Sequence, residues 1–173
     1  IADAVLAAIG SAKRPVILAG PQLSSRDGRA LLGQLETATG APAAVIESPR
    51  GANDATIGAF GHVVARADLI VLLGKALDFT VRWVKGPGFD PNVRIIAIDP
   101  EGALIERAAK EKGANMIIGC VADTKPAINT LIARAAKLKA PDPAWLKDSR
   151  ALMDNRPEAW ADLKSKTPGK LHA

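Results

Sequence analysis

Three short stretches hold the residue types from which a binding site could be built. They are Gly20-Pro21-Gln22, Gly74-Lys75-Ala76-Leu77-Asp78 and Asp99-Pro100-Glu101, and each follows directly on an apolar run. If those runs are parallel strands, the three stretches gather outside their carboxyl ends, where open α/β sheets hold ligands. Glycine lets a ligand come close to backbone, and an acid after a strand accepts hydrogen bonds from sugar hydroxyls. Lys75 and Arg50 are the cations within range of a phosphate. Gly20, Gln22, Gly74, Lys75, Asp99 and Glu101 are therefore the candidate binding residues, and their chemistry suits a nucleotide.

Each has a plainer explanation too. Gly20 and Gly74 also fit as turn glycines, Asp99 as a helix N-cap, and Lys75 and Arg82 as solvated surface cations. The first strand is followed by Gly-Pro-Gln-Leu, not by the G-x-G-x-x-G of a dinucleotide site. No catalytic constellation can be assembled. Cys120 is the single cysteine and reads as a small buried hydrophobe. The imidazoles are His62, in a structural setting, and His172 near the end. That leaves no metal ligand set, no nucleophile–base pair and no phosphate-cradling glycine loop.

The elements that would position these residues alternate along the chain. Ile1–Ser11 carries Val5, Leu6 and Ile9 on one helical face. Pro15–Gly20 is an unbroken apolar strand, entered by a proline and left through Gly20-Pro21, as expected of a strand covered on both faces. Ser24-x-x-Asp27 resembles a capping box before Leu31, Leu35 and Ala38, and Gly40 ends that helix. Ala41–Ile46 is a second strand, and Pro49, Gly51, Asn53-Asp54, Gly58 and Gly61 break up the stretch to Ala67. Asp68–Gly74 and Val93–Ile98 are further strands, separated by a hard break at Gly86-Pro87-Gly88. Asp99-Pro100-Glu101 opens a helix with Leu104, Ile105, Ala108 and Ala109 facing inward. Asn115–Gly119 is the last strand, and Asp123 or Thr124 caps a helix built on Ile128, Leu131, Ile132 and Ala135. Strand–helix alternation of this kind predicts a three-layer α/β/α parallel sheet. After Ala140-Pro141-Asp142-Pro143 the texture changes, and Trp145, Leu146, Leu152, Trp160 and Leu163 need cover. We divide the chain into a domain over 1–138 and a linker with helical tail over 139–173.

Composition narrows the function classes. The chain has 173 residues and a net charge of +5, yet it contains no run of basic residues, three Phe and no Tyr. That distribution argues against nucleic-acid binding. No apolar run reaches the roughly 18 residues of a membrane helix, and no signal peptide is visible. A start at Ile1 in place of Met suggests a piece of a longer protein, and the lone cysteine fits a cytoplasmic origin.

Arg14–Gly20, Asp68–Gly74, Ile96–Glu101 and Gly119–Asp123, in that order and spacing, resemble the central domain of thiamine-diphosphate-dependent enzymes of the acetolactate synthase, oxalyl-CoA decarboxylase and benzaldehyde lyase type. The tail with Trp145 and Trp160 resembles the connection to the family's third domain. The resemblance implies a Rossmann-like, DHS-type NAD/FAD-binding fold with about six strands in order 3-2-1-4-5-6, the short third strand falling within Glu47–Gly61. It implies FAD or ADP at Gly20, Gly74 and Asp99 in some relatives and an empty site in others. The oxalyl-CoA decarboxylase type has an arginine where this chain has Ala76, beside Lys75. Thiamine diphosphate and Mg²⁺ belong to the parent enzyme, on the N- and C-terminal domains that are this domain's implied partners. The parent is then a lyase or transferase of homodimeric or homotetrameric form, and this domain alone is inactive. The competing reading is a stand-alone ADP, FAD or NAD module.

Overall fold

The computed structural model describes residues 1–86, 89–155 and 167–169. Strand β1 (Pro15–Ala19) lies at the heart of the fold, every residue buried. It pairs in parallel with β2 (Ala43–Val45) on one edge and with β3 (Leu69–Leu73) on the other. Beyond β3 come β4 (Arg94–Asp99) and β5 (Met116–Val121), also parallel, giving the order β2-β1-β3-β4-β5. Unbroken Val/Ile/Leu runs form β1 and β3 because both of their faces are covered. In β5 half-buried and exposed residues alternate, as befits an edge strand, and Val121 is 62% exposed.

Helices α1 (Ala2–Ser11), α2 (Arg26–Thr39) and α5 (Thr124–Arg134) cover one face, with Ile9, Leu35, Ile128 and Leu131 packed on Ile17, Ala19 and Val71. Helices α3 (Phe60–Ala65), α4 (Gly102–Lys112) and α6 (Pro143–Asp154) cover the other, where Phe60, Ala108 and Trp145 meet Val16, Leu18 and Ile70. The chain is thus the expected three-layer, Rossmann-like α/β/α domain. The strand order is the expected one without its outermost strand.

That strand is replaced by turns. Glu47–Gly61 holds two 3₁₀ turns, Gly51–Asn53 and Ala55–Ile57, followed by the start of α3. Gly51 and Gly58 adopt φ of 60° and 59°, left-handed geometry that an extended strand cannot accommodate. Asp54 folds the stretch on itself by accepting from the Thr56 N–H at 2.8 Å and its hydroxyl at 2.7 Å. Side chains close the edge of β2 instead: Glu36 accepts the Ala43 N–H at 2.8 Å and is clamped by the Arg150 guanidinium of α6.

Three local expectations shift. Ser25, not Ser24, caps α2, its hydroxyl accepting from Gly28 N–H at 3.1 Å, because Ser24 donates to Pro21 O and finishes the preceding 3₁₀ turn. The buried stripe of α2 accordingly moves to Gly28, Leu32, Leu35, Glu36 and Thr39. In α4, of the four expected inward residues, Ala108 is buried, Leu104 and Ile105 are half-buried and Ala109 is exposed.

The stretch after Ala140 folds back onto the domain. Asp142 caps α6 by accepting from Ala144 N–H at 2.9 Å, and Pro143 takes the first helical position. Trp145 is 6% exposed, donates its indole N–H to Pro15 O at 2.8 Å and carries the Arg66 guanidinium 5.5 Å from its ring centroid. Ala59 N–H donates to Leu152 O at 2.9 Å, so α6 also fixes the entry to α3. Trp160 and Leu163 lie outside the described residues.

Two predictions follow from this packing. Trp145→Ala should lower stability by about 3–5 kcal/mol, and Trp145→Phe, which keeps the bulk and loses the donor, by about 1–3 kcal/mol, both read from urea unfolding. Hydrogen bonds from the Ser48 hydroxyl and from Thr56 hold the Asp54 carboxyl down at about 2, against an ordinary 3.8, with Arg50 assisting and burial opposing. A lowered folded value stabilises above the unfolded value and is lost on acidification. The melting temperature should therefore fall as pH drops from about 4 towards 2, and Asp54→Asn should flatten that fall.

Candidate functional site

The register places the three strand ends level with one another. Ala19 faces Leu73 and Leu73 faces Ile98, so Gly20, Gly74 and Asp99 follow at the same height on one rim. The backbone continues the match, with Gly20 N–H donating to Leu73 O at 2.9 Å and Gly74 N–H to Ile98 O at 2.7 Å. The chain leaves β1 towards β2 on one side and leaves β3 towards β4 on the other, so the Gly20–Gly74 gap is the topological switch point.

The glycines there are required by the chain itself. A Cβ on Gly20 would stand 1.7 Å from Gly74 O, inside backbone that cannot yield. Gly74 adopts a φ of 58°, and a Cβ on it would stand 1.5 Å from Gln22 Nε2 and 2.4 Å from Thr124 Oγ1. Gln22 reaches across the gap from the 3₁₀ turn Pro21–Leu23, donating to Gly74 O and to Thr124 Oγ1, each at 3.0 Å. Gly20, Gln22 and Gly74 thus meet, and the contact brings in Thr124 at the start of α5. Thr124 was not among the site residues expected from sequence, where its place after Asp123 marks it only as a cap.

The remaining candidates have other partners. Lys75 is buried, and its ammonium donates to both oxygens of Asp78 at 3.0 and 2.9 Å and to Ala76 O at 2.8 Å. Burial alone would raise the Asp78 carboxyl, but hydrogen bonds from Thr80 and Lys75 outweigh it and hold it below the ordinary value. Asp99, 6% exposed, ends β4 and accepts from Glu101 N–H at 2.9 Å; this is an Asx turn, and Glu101 is the residue that precedes α4. Glu101 and Arg50 are exposed.

The connection from β3 to β4 carries a feature that the sequence did not reveal. Arg82, Trp83 and Val84 all adopt left-handed φ, at 52°, 49° and 48°. Lys112 donates to Val84 O at 2.6 Å, and Arg82 lies 5.6 Å from the Phe89 ring centroid. Burial, with Lys85 nearby, lowers the Lys112 ammonium below its usual range. Pro87 and Gly88 of the expected break lie outside the described residues.

A family model described as "Thiamine pyrophosphate enzyme, central domain" matches residues 2–131. The chain belongs to that family. Comparison with curated proteins returned no match. A thiamine pyrophosphate enzyme's central domain lies between N- and C-terminal domains of its parent chain, and thiamine diphosphate is the parent's cofactor. Among the described residues no group of three or more His, Cys, Asp or Glu could hold a metal ion. No step of thiamine chemistry is assigned to these residues. No described helix is long and apolar enough to cross a membrane.

The two glycines of the central domain should respond differently to substitution. Gly74→Ala meets side-chain tips that can swing aside, leaving mainly the left-handed penalty of about 1–2 kcal/mol. Gly20→Ala meets backbone and should be far more damaging, to the point of insoluble expression. Circular-dichroism melts of the two variants check the order.

Proposed function

We propose that this central domain belongs to a thiamine-diphosphate- and Mg²⁺-dependent lyase or transferase of 2-keto acid decarboxylation or carboligation. In that parent it spaces the catalytic domains and keeps a vestigial adenine-nucleotide site, for ADP or FAD, at the Gly20–Gly74 crevice. The parent is a cytoplasmic homodimer or homotetramer, and the domain alone turns nothing over. The observation that carries the nucleotide part is the levelling of Gly20, Gly74 and Asp99 at the switch point of a parallel sheet. The Gly74 carbonyl and Asp99 sit at that rim with hydrogen-bonding groups suited to a nucleoside, and Glu101 lies beside Asp99 on the surface. Lys75 would serve a phosphate only by giving up Asp78, which favours the nucleoside half as the better-held part.

Calorimetry with ADP, FAD and NAD tests the site. We expect micromolar binding of ADP or FAD, whereas silence with all three reduces the domain to a spacer. Incubation with thiamine diphosphate, Mg²⁺ and a 2-keto acid tests the rest. No turnover is expected, and specific decarboxylation by this chain alone would refute the assignment of catalysis to other domains.

A further inference from the structure

Gln22 is an exposed residue whose carboxamide nevertheless turns inward. Its Nε2 closes the gap between the end of β3 and the start of α5, donating at 3.0 Å to Gly74 O and at 3.0 Å to Thr124 Oγ1. The amide lies over the side of Gly74 that the missing side chain leaves open, since a Cβ there would stand 1.5 Å from the same nitrogen. Thr124 is 5% exposed, so water has little access to the hydroxyl that Gln22 meets. A carbonyl can only accept. An incoming phosphate oxygen, itself an acceptor, would gain nothing from Gly74 O and be repelled by it, whereas a hydroxyl or amino group could replace the Gln22 donor directly.

We propose that Gln22 is a built-in stand-in for the ligand and a determinant of its specificity. It holds the crevice shut with its own amide and yields to a molecule that brings a hydrogen-bond donor to Gly74 O, such as a ribose hydroxyl or the exocyclic amine of a nucleoside. This rests on the nucleotide reading above and sharpens it, because it assigns the Gly74 end of the crevice to the nucleoside and not to the phosphates. As a surface side chain, Gln22 can swing out at the cost of two ordinary hydrogen bonds, which weakens the ligand's apparent affinity roughly tenfold.

Calorimetry of the whole chain with adenosine and with inorganic pyrophosphate, on the parent sequence, Gln22→Ala and Gln22→Met, tests the proposal. Gln22→Ala should bind adenosine about tenfold more tightly. Gln22→Met, which keeps the bulk but loses both donors, should fall between, and pyrophosphate should gain nothing. Adenosine binding by the parent sequence that is as tight as, or tighter than, that of both variants overturns the stand-in role and leaves the nucleotide reading intact. No adenosine binding by any of the three proteins overturns both. A gain for pyrophosphate equal to that for adenosine overturns the donor assignment. Thermal melts establish that each variant is folded, and if Gln22→Ala is not, Gln22→Met carries the same sign of change.

Discussion

With β2 along one edge, β3 along the other and a helical layer against each face, β1 has one way out, past its C-terminal end. Every other feature of the rim follows from that enclosure. The chain must leave β1 between two neighbouring strand ends, so Gly20 runs against the Gly74 carbonyl and a side chain on Gly20 would stand inside backbone. The same crossing creates the gap that Gln22 spans, and it sets Gly20, Gly74 and Asp99 level. A packing requirement and the proposed binding geometry share the same atoms here.

The sequence revealed the enclosed strands well because burial on two faces leaves a direct mark: Val16–Ala19 and Leu69–Leu73 are uninterrupted apolar runs. Breaks were also readable where proline or glycine forces them, as at Gly20-Pro21 and Gly40. What escaped was decided by contacts distant in the chain. The β2 edge is finished by Glu36 and Arg150, residues 114 positions apart, and nothing local marks Glu36 as buried or the two as partners. Ser24 and Ser25 are equal as capping candidates until the Pro21 carbonyl takes the first of them. The left-handed turn at Arg82–Val84 breaks the ordinary preference of all three residues and is anchored from α4.

The candidate site divides in the same way. Gly20, Gly74 and Asp99 could be placed together because they end strands, and strand ends follow from the alternation of elements. The partners of their neighbours could not be read. Lys75 carries the charge a phosphate would want, yet three positions on stands an aspartate that captures it inside the protein. Thr124 became part of the crevice only through a side chain 102 positions earlier. Membership in a thiamine enzyme family fits a domain whose residues build a three-layer parallel-sheet scaffold.

The pairing of β1 also sets how such a domain must come into being. Pro15 faces Leu69, and the Pro15 carbonyl meets the Trp145 indole 130 residues later. A central strand whose second neighbour and whose cap arrive so late must wait, half-paired and apolar on both sides. Parallel sheets with such distant closures fold slowly, because loop entropy is lost before contacts reward it. During synthesis β1 therefore stays apolar and unpaired on one edge until β3 has emerged.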